Sequence, residues 1–171
     1  MNNAGGKLIV YVYYGDSWNT YERFIKLEEA TREFDGLKYS PPYKYDILYC
    51  GSSQYGDLNV NMVREWMAYH AFMFWPKLHF MFHDAGGVSP AVRAALEPWV
   101  RAWRVTVQDI WDQEIYDGYY YNQFLVMQDC LHWHIHNTNW TFFFNVNKCV
   151  HVMNGSTLKQ VLDGFNNTHN S

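Results

Sequence analysis

Residues 140–144 read Trp-Thr-Phe-Phe-Phe, and the run stops on Asn145-Val146-Asn147-Lys148. Successive residues of an extended chain face opposite ways, so Trp140 and Phe142 to Phe144 supply apolar side chains to both sides. A strand of that kind must be covered on both faces. It belongs in the interior of a mainly parallel sheet sandwiched between helices. Asn145 and Asn147, two residues apart, would then project to one side at the carboxyl end of a buried central strand.

The chain before and after this run has the alternation that such a sheet requires. Tyr45 to Cys50 reads as a short apolar strand entering a Gly51-Ser52-Ser53 loop. Residues 59–75 place Val60, Val63, Met67, Ala71 and Phe74 at helical spacing. Leu78, Phe80 and Phe82 alternate as a strand ending at His83-Asp84. Ser89-Pro90 is a helix cap followed by proline at the first helical position, opening a helix to about Trp103 that Pro98 should kink or split. Residues 104–110 are the next strand, and a loop follows to Gly118. A helix then runs from about Tyr119 to His134, with Phe124, Met127 and Leu131 inward. Beyond the strand at 140–146, Val150 to Val152 suggests a further short strand, and Ser156 a cap for a last helix with Leu158, Val161 and Leu162. The fold class is α/β, with helices on both faces of the sheet. Ligands of such sheets bind beyond the carboxyl ends of the strands. That rule gathers the Cys50 loop, the His83-Asp84 turn, the Asp109 region and the Asn145/Asn147 pair along one edge.

Ahead of this pattern, residues 7–14 read as a strand, and residues 22–30 fit either a strand or a short helix. The Gly- and Pro-containing stretch from Asp35 to Pro42 is a linker. It separates a short β-rich segment, residues 1–40, from a main domain at 41–165, with a polar, disordered tail from Asn166. The 13 Lys and Arg are scattered without a basic run, which argues against a nucleic-acid partner. No apolar run is long enough to span a membrane, and the first residues lack a signal-peptide pattern. Cys50, Cys130 and Cys149 are too few and too far apart for a disulfide framework or a zinc motif. His132 and His136 have helical spacing without an acidic or Cys partner in register, so the His132/His134/His136 group reads as a solvated helix end. Sequons stand at Asn139, Asn154 and Asn166, the first expected to be unused because it abuts the buried strand. The high aromatic content, 19 %, serves a large core and also suits carbohydrate rings.

A pair of short polar side chains at a strand exit is a place where a diphosphate and its divalent metal are held, usually as Asp-x-Asp. Here both positions are amides. Cys50, Gly51, Ser52 and Ser53 offer small residues where backbone N–H groups can approach a nucleotide. His83 and Asp84 are placed for donor-sugar or ribose contacts. Asn122 and Gln123 could bond sugar hydroxyls, with Asp117 and Asp129 nearby in sequence. Arg64, beside Glu65 at a helix start, could contact the donor or be no more than part of a solvated ion pair.

Six blocks in order carry a family resemblance: YDILYCGSSQYG (45–56), VREWMAYH (63–70), HDAGGVS (83–89), RVTVQDI (104–110), YDGYYYNQFLVMQDCLH (116–132) and NWTFFFNVNK (139–148). On these, the chain resembles glycosyltransferase family 92, and within it the plant β-1,4-galactan synthases. Residues 20–30 are similar to the region just before that family's catalytic domain. The resemblance implies an inverting galactosyltransferase of the GT-A fold that uses UDP-galactose and Mn²⁺ to extend β-1,4-galactan side chains of pectin in the Golgi membrane. It also implies that the chain is truncated: the family's acceptor half, its remaining catalytic residues and its membrane anchor are expected outside it. The family's Asp-x-Asp falls on Asn145 and Asn147, and its next acidic residue on Lys148. Those replacements raise the local charge by about four units, which should weaken any metal bound there. Either catalysis has been lost, or Lys148 partly replaces the metal as counter-charge to the diphosphate. The resemblance leaves two functions open, an impaired transferase and a non-catalytic nucleotide-sugar or glycan-binding remnant.

Overall fold

A computed structural model describes residues 5–13, 21–31, 36–74, 77–114, 122–153 and 155–168. The chain divides after Pro42 into two units. In the first, β1 (Gly6–Tyr13) pairs antiparallel with β2 (Tyr21–Glu29), from Tyr13 opposite Tyr21 to Gly6 opposite Glu29. Val, Ile, Tyr and Phe in both segments favour the pleated conformation, so residues 22–30 resolve as strand. A 3₁₀ turn, Gly36–Tyr39, lies within the stretch read as linker.

In the second unit, four strands form one parallel sheet: β3 (Tyr45–Gln54), β4 (Leu78–Asp84), β5 (Val105–Asp109) and β6 (Thr138–Phe142), in the spatial order β5-β4-β3-β6. Helices α1 (Val60–Met73) and α2 (Pro90–Arg101) join β3 to β4 and β4 to β5. After α3 (Trp111–Glu114) and α4 (Gln123–His134) the chain returns to β6, on the far side of β3, and α5 (Leu158–Thr168) closes the described chain.

Local chemistry sets the helix starts. Asn59 accepts from the N–H groups of Asn61 and Met62 to open α1, and Ser89 accepts from Val92 ahead of Pro90 to open α2. The last helix is capped one residue later than Ser156. Thr157 Oγ1 accepts from Gln160 N at 3.2 Å while Gln160 Oε1 accepts from Thr157 N at 2.7 Å, a reciprocal capping box. Helix α2 stays continuous through Pro98, which stands in its last turn, where the lost N–H costs one bond.

The alternation of strand residues divides two cores. Ile47, Tyr49, Leu78, Phe80, Phe82 and Val105 face α1, α2 and α5, with Val63, Met67, Val92, Leu96 and Leu158 opposite them. Leu48, Cys50 and Met81 face α4 and meet Cys130. Cys50 and Cys130 form a disulfide across this second interface, with Cα atoms 6.0 Å apart and a sequence separation of 80. The sparse cysteines gave no local spacing from which to expect it. The pair becomes adjacent only when α4 crosses back over β3.

Three expectations about the aromatic run need correction. Among the described residues β6 is an edge strand, paired only with β3, and Trp140, Thr141 and Phe142 are half-buried rather than enclosed. It ends at Phe142, because the carbonyl of Phe144 takes the Tyr49 hydroxyl instead of a ladder partner. Val150 to Val152 forms no strand, since both polar groups of the Val150 backbone bond side chains of α1.

Candidate functional site

The direction of winding reverses at β3. From β3 the chain steps to β4 and then β5, whereas β6 returns to the other flank by way of the opposite face. The carboxyl ends of β3 and β6 therefore flank the position where parallel sheets take ligands in a crevice. Ser52 and Asn145 meet there. The Ser52 hydroxyl donates to Asn145 Oδ1 at 2.5 Å, joining positions 93 residues apart.

The expected loop at 51–53 is strand. β3 continues to Gln54, with a register irregularity between Cys50 and Ser53 where it pairs with β4. Its end is held by the next turn: Ala85 and Gly87 donate to the Gln54 carbonyl at 2.8 and 3.0 Å. That approach needs glycine, because a Cβ on Gly87 would lie 2.7 Å from the carbonyl carbon of Gln54.

The segment after β6 is pinned by side chains from α1 and β3. Tyr49 Oη donates to the Phe144 carbonyl at 2.7 Å, Trp66 Nε1 to the Lys148 carbonyl at 2.7 Å, and Tyr69 Oη to the Val150 carbonyl at 2.7 Å. Val150 N donates to His70 Nε2 at 3.2 Å, so this nitrogen carries no proton. Its Nδ1–H donates to the Trp66 carbonyl at 2.9 Å, completing the tautomer. Burial pushes the His70 pKa below the ordinary histidine value, while the Trp66 carbonyl acts the other way. Lys148 N donates to the Asn145 carbonyl at 2.9 Å, which makes 145–148 a turn. Asn145 and Asn147 thus do not project in parallel from a strand. They stand, with Lys148, on an exposed loop whose backbone is tied down at both ends.

Other candidates serve the scaffold. Cys50 is disulfide-bonded and wholly buried under α4, which withdraws it from the crevice. His83 is also fully buried; its Nδ1 lies 2.9 Å from the Gly51 carbonyl and its Nε2 has no partner among the described residues. Burial lowers its pKa, opposed by the Gly51 carbonyl and the Asp129 charge. Asp84 accepts from Gly86 N and Val88 N, each at 3.0 Å, and from Arg93 Nη2 at 2.8 Å, which fastens the turn into α2. Gly51 and Ser53 are buried in β3, and Arg64 and Glu65 lie exposed on α1. Asn122 is buried at a left-handed φ of 59° before α4, and Gln123 Nε2 lies 3.8 Å from Met127 Sδ. Asp109 Oδ1 accepts from Trp111 N at 3.0 Å, and Asp129 is exposed on α4. His132 and His136 are exposed, and His134 is half-buried. Asp117 lies outside the described residues. The crevice thus unites Ser52 with Asn145, Asn147 and Lys148 and leaves Cys50 and His83 on the α4 face.

Comparison with known proteins bears on the same stretch. A family model, Glycosyltransferase family 92, matches residues 45–171, the whole sheet unit from the start of β3. The chain belongs to glycosyltransferase family 92. It is similar to galactan beta-1,4-galactosyltransferase GALS1 of Arabidopsis thaliana, 59 % identical over 96 % of this chain and 33 % of that protein. It is also similar to galactan beta-1,4-galactosyltransferase GALS3 of the same plant, at 44 % identity over 95 % of this chain and 33 % of the relative. A third Arabidopsis relative, GALS2, is 42 % identical over 94 % of this chain and 32 % of its own length. The chain spans about a third of the length of these curated relatives.

Whether this family 92 crevice suits a manganese ion depends on its donors. Mn²⁺ is a hard ion that prefers carboxylate, carbonyl and water oxygens. Residues 145–148 carry no carboxylate, the Asn145 oxygen already accepts the Ser52 hydroxyl, and Lys148 adds a positive charge. The donor set does not fit a manganese clamp. It suits anionic oxygens instead, through amide N–H groups and one ammonium.

The pinning residues were absent from the sequence-based candidates. A signal for them exists: Trp66, Tyr69 and His70 put three polar-tipped rings on adjacent positions of α1, at i, i+3 and i+4.

Proposed function

We infer that this chain is the nucleotide-sugar-binding part of a GT-A-type galactan synthase, handling UDP-galactose and a β-1,4-galactan acceptor in the Golgi. Its own transfer activity is weak. The observation that carries the reading is the Ser52–Asn145 contact at the winding reversal, with the following loop fixed by Tyr49, Trp66, Tyr69 and His70. The names of the relatives supply the sugar and the acceptor. The Cys50–Cys130 disulfide suits an oxidising secretory lumen.

In galactosyl transfer with inversion, an acceptor hydroxyl gives up its proton to a general base as its oxygen attacks the anomeric carbon, and UDP departs carrying the bonding pair. Charge grows on the diphosphate, and stabilising it requires donors already in place. This chain offers the amides of Asn145 and Asn147 and the Lys148 ammonium. Because those donors do not fit Mn²⁺, the step rests on them alone, and one flexible cation is a modest counter-charge. A second reading, retention of the nucleotide sugar without transfer, is favoured by the same Asn-Val-Asn-Lys sequence.

Calorimetric titration with UDP-galactose, with and without Mn²⁺, tests the proposal. The natural chain is expected to bind the donor with an affinity that manganese leaves unchanged. An Asn145→Asp, Asn147→Asp, Lys148→Glu variant is expected to acquire manganese dependence. Manganese-enhanced binding by the natural chain contradicts the reading, and absence of donor binding in both proteins removes it.

A further inference from the structure

At the opposite end of the sheet lies a cavity of about 300 Å³, between the start of β3, the start of β6, the end of α1 and α5. We propose that it is a binding subsite for a pyranose unit of a neutral oligosaccharide, separate from the donor crevice. Trp140 and Leu162 form part of an apolar wall, and Asp46, Asn139, Asp163 and Asn166 form a polar rim. Asn139 Nδ2 donates to Asp46 Oδ1 at 3.1 Å, and Lys159 pairs with Asp163 at 2.6 Å, so rim groups are already oriented.

The lining selects its ligand class. Lys159 offsets Asp163 and Asp46 adds a further negative charge, so the lining is negative on balance and disfavours phosphate and other anions. A wholly apolar ligand would strip water from those carboxylates without replacing their hydrogen bonds. A neutral pyranose satisfies both walls: its C–H face lies against the indole of Trp140, while its hydroxyls reach carboxylates and amides. The volume is at the small end of ligand cavities and suits one ring of a longer chain. Choosing β-1,4-galactan as the oligosaccharide rests on the function proposed above; the chemistry of the pocket does not depend on it. Asn139 and Asn166 are also the asparagines of two sequons, so an N-glycan could bring the same chemistry covalently.

The test uses the whole chain made without N-glycans and β-1,4-galactotetraose as probe, followed by calorimetry and Trp fluorescence. The expected result is saturable binding that Asp163→Ala or Asn166→Ala weakens about tenfold each, as loss of one charge-assisted or amide hydrogen bond implies. Both positions are exposed on α5, so these variants retain the fold, checked by circular dichroism. Ser52→Ala, at the other end of the sheet, should leave tetrasaccharide affinity unchanged. Lack of saturation in the natural chain, or an affinity in both α5 variants equal to that of the natural chain, overturns the subsite. UDP-galactose titrated into the same samples separates the two proposals. Tetrasaccharide binding sensitive to Asp163 without donor binding sinks the donor site alone; donor binding without tetrasaccharide binding sinks the subsite alone.

Discussion

Replacing His70 by Phe should loosen the loop that carries Asn145 and Asn147 while preserving the aromatic packing beneath it. The His70 ring lies 4.2 Å from Trp66, 5.0 Å from Tyr69 and 5.3 Å from both Phe74 and Phe144, centroid to centroid. A phenyl ring of similar shape keeps those contacts. What it removes is the acceptor for the Val150 N–H and the donor to the Trp66 carbonyl. An unsatisfied buried donor costs about 1–3 kcal/mol. Val150 is half-buried, and the Trp66 carbonyl lies within a helix, so a net loss of about 2 kcal/mol is expected. For a chain of this length that lowers the melting temperature by about 4–8 °C. Urea unfolding and thermal melting measure the loss. Its location is read from hydrogen exchange at the Val150 amide and from alkylation of the exposed Cys149 thiol, which should both accelerate. A His70→Phe protein with an unchanged urea midpoint and unchanged exchange at Val150 would refute the pinning argument.

Removing the Cys50–Cys130 bridge as a Cys50→Ala, Cys130→Ala double variant opens a covalent loop spanning 80 residues, for which loop entropy sets a loss of up to about 4.5 kcal/mol; guanidinium unfolding of the two proteins checks it. Acidification should also destabilise the fold. His70, His79, His83 and His134 are all held below the ordinary value of 6.5, chiefly by burial, with His79 lowered to about 4. The native state therefore binds fewer protons than the unfolded chain. The histidine contribution is complete above pH 6.5 and is lost as pH falls through that window towards 4. Urea midpoints measured from pH 7.5 downwards should fall across about pH 6.5 to 4, and a midpoint that rises contradicts the assignment.

Much of the scaffold was legible because its signals are local. Ser89-Pro90 marks a helix start by its own chemistry, and Leu78, Phe80 and Phe82 disclose a strand by spacing alone. The run at 140–144 misled for a definite reason. Bulky residues on both sides of a strand signal apolar surroundings, but they do not say whether a strand or a helix and loop supplies them. Here Phe142 and Phe144 pack into the α1 core while, among the described residues, β6 pairs with β3 alone. The site itself depends on partners far apart in sequence. Ser52 reaches Asn145 across 93 residues and Trp66 reaches Lys148 across 82, and no window of sequence carries either contact. Likewise, the bridge between Cys50 and Cys130 became visible only once α4 lay over β3. The amide pair was readable as chemistry, but its geometry was not: the turn at 145–148 follows from backbone bonds that Tyr49, Trp66 and Tyr69 complete.

The central claim is that the donor crevice is held in shape while its loop has no anionic grip on a divalent ion. Electron paramagnetic resonance of Mn²⁺ in the presence of the chain and UDP-galactose tests it most directly. The account predicts that adding protein leaves the manganese signal at the level set by UDP-galactose alone, and that the Asn145→Asp, Asn147→Asp, Lys148→Glu variant depletes it. Stoichiometric loss of the signal with the natural chain, reversed by Asn145→Ala, would contradict it.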